Sequence, residues 1–316
     1  MFESAHVVSI PMRVRFRGVD AREALLLEGP AGWGEFSPFP EYDDVESARW
    51  LAAALEAAHV GWPAAVRTSV PVNATVPDVA AELVQAVLAR FPGCTTAKVK
   101  VGGVLREDVD RVAAVRSALG AGGRVRVDAN AAWSVPDAVA ALTALAPFDL
   151  EYAEQPCATV AELAELRVAL ARAGVGVLVA ADESVRKAAD PLAVARAGAA
   201  DVVVLKVAPL AGVARALEVA QGCGLPVVVS SALDTSVGIS AGVALAAALP
   251  DLPYACGLAT TSLMAADVAD LRVVDGALPV RAVVPDPARL AALAAPPDRQ
   301  QWWLARARRC AALLEG

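Results

Sequence analysis

Arg124-Val-Arg-Val-Asp-Ala-Asn130 decides the fold of this 316-residue chain. Arginines and valines alternate with the period of a strand, and the run ends in a polar turn, Asp128-Ala129-Asn130. A helix-type segment follows from near Ser134. The same construction recurs twice. Leu150-Glu-Tyr-Ala-Glu154-Gln-Pro156 delivers Glu154, and Val177-Leu-Val-Ala-Ala-Asp182-Glu183-Ser184 delivers Asp182 and Glu183. Glu154 lies 26 residues after Asp128, and Asp182 lies 28 after Glu154. Each interval holds one strand and one helix. Consecutive parallel strands therefore set three carboxylates side by side at one end of a barrel.

Working outward, the pattern predicts strands over 70–74, 95–101, 124–128, 149–153, 177–181, 201–206, 226–230 and 254–257. Helices are predicted between them, over 77–91, 106–119, 135–145, 159–172, 187–197, 211–222 and 236–248. This is an α/β chain whose residues 70–262 read as a (β/α)7β TIM-like barrel. Residues 1–69 break the alternation. Antiparallel strands over 6–16 and 23–29, a Gly/Pro-rich stretch over 32–40 and a helix over 45–58 make a small α+β capping domain. After residue 263 the pattern weakens. A turn at Asp275-Gly276, a proline-rich stretch over 279–297 and a helix near 299–314 are expected to pack back on the capping domain.

Composition narrows the function. Mean hydropathy is high, +0.50, but the longest uncharged runs, such as 235–250, fall short of a membrane span and contain Gly, Pro and Ser. The hydrophobicity fits buried strands and alanine-rich helices. The N-terminus lacks a basic segment followed by an apolar one, so no secretory signal is expected. Five scattered cysteines without a CxxC pair suggest reduced thiols in a cytoplasmic protein. Net charge is −7 with no basic cluster, which argues against nucleic acid. Only two histidines occur, His6 and His59, both outside the barrel region. That removes most zinc sites and histidine-based acid–base schemes.

Barrel enzymes carry their chemistry where strands end. Lys98 and Lys100 share a strand face, as do Arg126, Asp128 and Asn130. Glu154, then Asp182 and Glu183, end the next two strands, a lone Lys206 the sixth and Ser230-Ser231 the seventh. Lysines thus face each other across a carboxylate cluster. Converging carboxylates repel, and a divalent cation offsets that repulsion; all-oxygen ligands suit Mg2+, with Mn2+ as an alternative ion. Such a cation would hold a substrate carboxylate and stabilise the charge left when the adjacent carbon loses a proton. A lysine beside the cation and another lysine has its pKa pushed toward that of a base. Singly, these residues have plainer readings: an Asp after a strand caps a helix, and a lone Lys at a strand end is solvated. Their joint occurrence in successive units favours a site. Glu183 is expected behind the metal ligands, because neighbouring strand residues point opposite ways. Arg126 is expected to reach toward a substrate carboxylate, the alternative being an ion pair with a barrel carboxylate.

Lys98-Val-Lys100, Asp128-Ala-Asn130, Glu154-Gln-Pro156, Asp182-Glu-Ser184 and Lys206 resemble, in order and spacing, the enolase superfamily, muconate-lactonising subgroup. Trp33-Gly-Glu35 resembles its capping domain. The resemblance implies Asp128, Glu154 and Asp182 as Mg2+ ligands, Lys100 and Lys206 as acid–base lysines on opposite substrate faces, and Lys98 on the substrate carboxylate. Arg126-Val-Asp-Ala-Asn-Ala-Ala-Trp133, Ser230-Ser-Ala-Leu-Asp-Thr-Ser-Val-Gly238 and Gly257-Leu-Ala-Thr260 are similar to a dehydrating branch of that subgroup that serves menaquinone biosynthesis. It implies substrate contacts from Asn130, Ser230, Ser231 and Gly257, and a covering loop near residues 15–23. Dipeptide epimerases carry Asp-x-Asp where this chain has Ala255-Cys-Gly-Leu-Ala-Thr260, and mandelate-racemase types need a barrel histidine. The expectation is a Mg2+-dependent dehydratase, a carbon–oxygen lyase acting on a small-molecule carboxylate. An N-acylamino acid racemase is the alternative, and a non-catalytic metal-binding barrel the remote one.

Overall fold

The computed structural model describes residues 2, 4–16, 18–188 and 190–315. β1 (His6–Phe16) and β2 (Val19–Gly29) pair antiparallel, and β3 (Gly32–Phe36) pairs with β2. Phe16 pairs with Val19, and Gly18, at φ +76°, supplies the left-handed turn. The stretch 15–23, expected as a loop, is therefore mostly a hairpin end; Arg17 within it lies outside the described residues. Helix α1 (Asp44–His59) starts at Asp43, whose side chain accepts from Glu46 N at 2.7 Å. Its buried face is largely alanine, so β3 approaches closely: a Cβ on Gly34 would lie 1.9 Å from Ala54 O.

The chain then runs through β4 (Ser69–Pro71), β5 (Ala74–Val76), α2 (Val84–Leu88), β6 (Thr96–Lys100), α3 (Leu105–Leu119), β7 (Arg124–Asp128) and α4 (Val135–Leu145). β8 (Leu150–Glu154), α5 (Val160–Ala173), β9 (Val179–Ala181), α6 (Glu183–Arg186), α7 (Ala193–Arg196) and β10 (Val202–Leu205) follow. Next come α8 (Val213–Cys223), β11 (Val227–Val229), α9 (Ser236–Ala248), β12 (Ala277–Pro279), α10 (Pro287–Ala292) and α11 (Pro297–Glu315). The seven strands β5 to β11 form one curled parallel sheet in chain order. β9, β10 and β11 are buried throughout, as strands covered on both faces must be.

Four differences from the expected pattern have local causes. The first strand is displaced: residues 69–71 pair antiparallel with β12, and the barrel strand begins only at Ala74, beyond Pro71, which has no amide to donate. The eighth strand is reduced to single bridges. Cys256 N donates to Pro71 O at 2.7 Å, and Cys256 O accepts from Asn73 N at 2.9 Å; Gly257 N donates to Val229 O at 2.8 Å, and Gly257 O accepts from Ser231 N at 3.1 Å. Residues 256 and 257 thus join the two sheet edges. The helix expected over 77–91 is only α2 and a preceding 3-10 turn, confined between Pro77 and Pro92. The helix expected over 187–197 is only the four-residue α7, which begins after Pro191; the equally short α6 precedes the expected span.

The tail returns to the N-terminal unit. Arg306 of α11 donates to Phe39 O, Tyr42 O and Ser47 Oγ, and Trp303 Nε1 donates to Glu23 Oε2 at 2.9 Å. All five cysteines are free thiols. Among the described residues no helix is long and apolar enough to cross a membrane.

Candidate active site

Parallel register stacks the site. Lys100 pairs with Asp128, and Asp128 with Glu154, in one row across β6, β7 and β8. Asp182 follows β9, and Lys206 follows β10. The chain turns sharply past the acids: Asn130, Ala131 and Gln155 all hold φ between +40° and +65°. Left-handed backbone at non-glycine residues costs conformational energy and persists where surrounding contacts impose it. Gln155 is one such contact. Its Oε1 accepts from Asp182 N at 2.9 Å and Ser184 N at 3.2 Å, and its Nε2 donates to Ser184 Oγ at 2.7 Å. One amide thereby ties the end of β8 to the end of β9.

Asp128, Glu154 and Asp182 are at most 1% exposed. Three ammonium groups answer them. Lys98 Nζ lies 2.7 Å from Glu154 Oε1 and 3.0 Å from Asp128 Oδ2. Lys100 Nζ donates to Asp128 Oδ2 and Asn130 Oδ1, both at 2.6 Å, and Lys206 Nζ donates to Asp182 Oδ2 at 2.5 Å. Arg186 Nε reaches Asp182 Oδ1 at 3.0 Å, while its Nη2 reaches Glu183 Oε1 at 2.6 Å. Arg186 thus bridges Asp182 and Glu183, and Glu183 Oε1 also accepts from Asn130 Nδ2 at 3.4 Å.

Electrostatics separate the three acids. For Asp128 burial alone would raise the pKa, but Lys100 and Lys98 outweigh it and hold the carboxyl well below its usual range. Asp182 is held at about 2, with Lys206 and Arg186 overcoming burial. Glu154 is pushed up to about 7 by burial and by Asp128. Burial lowers Lys100, and repulsion from Lys98 adds to it against the pull of Asp128. Lys98 goes the other way, because Asp128 and Glu154 outweigh its burial.

A cavity of about 50 Å3 opens above this row, lined by Lys98, Lys100, Asp128, Asn130, Lys206, Ser230, Ser231 and Gly257. A Cβ on Gly257 would lie 2.6 Å from Ser230 Oγ, so any side chain there would displace the serine hydroxyl. Ser231 Oγ bonds Thr260 Oγ1 at 2.7 Å. Phe39 and Thr75 also line the cavity and carry no signal of their own in the sequence, whereas Leu233 and Thr260, which line it too, fall within the two quoted motifs that begin at Ser230 and Gly257. Arg186 carries no signal either, because the pattern starts the next helix only at 187 and the turn that brings Arg186 onto Asp182 is seen only in the structure.

Arg126 is a correction. It shares a strand face with Asp128 but does not line the cavity. It is fully buried one row lower, opposite Lys98 and Tyr152. Its guanidinium pairs with Glu151, donates to Asn73 Oδ1 and Ala255 O, and lies 4.7 Å from the centre of the Tyr152 ring. The carboxylate and carbonyl oxygens lie on that side, whereas Lys98 and Lys100 already occupy the upper one.

Among the described residues no three acidic, histidine or cysteine side chains close on one point in a metal-holding arrangement. The lysine ammonium groups lie against the acids instead. The donor set nonetheless suits a hard cation. Asp128 and Glu154 converge on one positive centre, the Lys98 ammonium, and Glu154 is left short of positive charge.

A family model described as Enolase C-terminal domain-like matches residues 78–286, and one described as Enolase N-terminal domain-like matches residues 7–58. The chain is 60% identical over 319 residues to the o-succinylbenzoate synthase of Mycolicibacterium smegmatis, covering 99% of this chain and 97% of that one. It is 56% identical to the o-succinylbenzoate synthase of Mycobacterium tuberculosis, covering 99% and 95%, and 57% to that of Mycobacterium leprae, covering 99% and 93%. The fold is similar to that of a muconate lactonizing enzyme from Pseudomonas fluorescens, with TM-score 0.77 and 22% identity over 92% of this chain and 98% of that one. It is also similar to the L-Ala-D/L-Glu epimerase of Bacillus subtilis, with TM-score 0.76 and 22% identity over 89% and 96%. The chain belongs to the o-succinylbenzoate synthase family of the enolase superfamily.

Proposed function

We propose that this chain eliminates water from 2-succinyl-6-hydroxy-2,4-cyclohexadiene-1-carboxylate to give o-succinylbenzoate, a step of menaquinone biosynthesis in the cytoplasm. The observation that carries the reading is the placement of Lys100 and Lys206 on acids at opposite ends of one carboxylate row, Asp128 and Asp182. The shared name of the relatives supports it. Asp128, Glu154 and Asp182 would hold Mg2+. When bound, the ion supplies positive charge against the second negative charge that forms on the substrate carboxylate.

Lys100 Nζ takes the proton from the carbon that bears the carboxylate. The electron pair moves into the carboxylate as an enediolate, which faces the Lys98 ammonium. The pair then returns to form the ring double bond as the neighbouring C–O bond breaks. The departing hydroxide takes the proton from Lys100 on the same face and leaves as water. Lys206 keeps its proton and presents a cation to the opposite face of the ring system. Asn130, Ser230, Ser231 and Gly257 border the substrate. The elimination yields an aromatic ring, so the demanding step is proton removal. A direct assay of the cyclohexadiene substrate with Mg2+ tests the reading; no conversion by the purified chain sinks it.

A further inference from the structure

One wall of the pocket belongs to the loop after β11, beside Lys206, yet it is held from the N-terminal unit. Ala232 and Leu233 line the pocket, and Leu233 has φ +65°. A leucine does not adopt that conformation unaided. Arg22 of β2 is only 2% exposed. Its Nε donates to Leu233 O at 3.0 Å, and its Nη2 donates to Ser37 O and to Ala232 O, the latter at 3.4 Å. The same guanidinium lies 4.5 Å from the centre of the Phe39 ring, another wall of the pocket.

Glu35 of β3 fastens the far end of the loop. It accepts from Thr235 N at 3.0 Å, Thr235 Oγ1 at 2.6 Å and Gly238 N at 2.9 Å, and Ser37 Oγ steadies its other oxygen at 2.7 Å. Gly238 serves this contact: a Cβ there would lie 2.9 Å from Glu35 Oε2. Asp234 Oδ2 accepts from Ala232 N at 3.0 Å, closing the loop on itself.

We infer that Arg22 and Glu35 are positioning residues that determine specificity: through them the N-terminal unit sets the Ala232–Leu233 wall and the Phe39 ring against the substrate. Neither touches the reacting atoms. The planar fork of Arg22 bonds carbonyls on two segments at once, which a lysine cannot reproduce. The inference rests on the dehydratase reading of the site.

The test is steady-state dehydration by the full chain with Mg2+, using the natural substrate and an analogue with the succinyl arm shortened to acetyl. Arg22→Met is expected to raise KM for the natural substrate roughly tenfold, with kcat changed less than about threefold, and to narrow its preference over the analogue. Arg22→Lys should fall between the two. Glu35→Leu, which removes every acceptor offered to Thr235 and Gly238, gives the same pattern by an independent contact should Arg22→Met fail to fold. Unchanged KM and unchanged preference in the folded variants, with only a lower Tm, would reduce both residues to a structural role and overturn the inference. That outcome leaves wild-type dehydration intact, whereas loss of the dehydratase reading shows as no turnover by the wild type.

Discussion

Lys98 Nζ lies between Glu154 Oε1, at 2.7 Å, and Asp128 Oδ2, at 3.0 Å, so one buried ammonium spans acids from adjacent strands. It neutralises the row where the cation would sit. Lys98→Met leaves those acids buried without it, and loss of one partner of a buried pair costs about 3–5 kcal/mol. Without metal, Tm should fall by roughly 10 °C. Added Mg2+ should restore most of that, and should raise the variant's Tm much more than the wild type's. Equal Mg2+ shifts in thermal melts would dissociate Lys98 from the cation site.

The carboxylates serve charge stabilisation rather than apolar packing. Asp128→Ala and Glu154→Ala should lower kcat/KM by roughly 10^3-fold or more, the scale for losing a preorganised electrostatic contact, while circular dichroism stays that of the folded chain. Chelated wild type should be inactive until Mg2+ is returned. Full activity after exhaustive chelation contradicts the metal.

Much of this site was legible because parallel strands convert a spacing of 26 and 28 residues into adjacency. The order of Lys98, Lys100, Asp128, Glu154, Asp182 and Lys206 needed no knowledge of packing. Arg126 shows where that logic stops. Period two fixes a face but not a level, and Glu151, Asn73 and Ala255 O draw its guanidinium away from the pocket. Glu35 was legible only as part of a motif. Its partners, Thr235 and Gly238, stand some 200 residues away, and nothing local announces them. The strand over 254–257 failed because its pairing is set by Pro71 and Val229 at the sheet edges, not by its own pattern.

Arg126→Met follows from that geometry. It strands Glu151 half-buried and removes a guanidinium stacked on Tyr152, so stability should fall by about 3 kcal/mol with KM little changed. Arg126→Met combined with Glu151→Met should recover part of the loss. A large rise in KM at unchanged Tm would return Arg126 to the substrate.

Glu35 is raised to about 7 by burial and by Asp234, from an ordinary 4.5. The folded state therefore holds a proton that the unfolded chain has released between those values. Stability from this group is full below about pH 4.5 and is lost as pH rises through about 7, a change of order 3 kcal/mol at most. Glu35→Gln should flatten the decline in denaturant midpoint between pH 5 and 7. Parallel wild-type and variant profiles would mean that Glu35 does not titrate there.

Lys206 separates dehydration from racemisation. It stands on Asp182 at 2.5 Å, across the row from Lys100 on Asp128 at 2.6 Å. In dehydration only Lys100 moves a proton, so Lys206→Ala loses charge stabilisation without losing the base. In a racemase the two lysines serve opposite faces of one carbon, and each must both take and give a proton. Incubating the chain with each enantiomer of an N-succinylamino acid in D2O reads this directly by NMR. The wild type should dehydrate the cyclohexadiene substrate quickly and exchange the amino acid slowly or not at all. In Lys206→Ala any residual exchange should be confined to the enantiomer whose hydrogen faces Lys100. Rapid racemisation by the wild type with negligible dehydration would transfer the chain to the racemase reading, with both lysines and the carboxylate row retained.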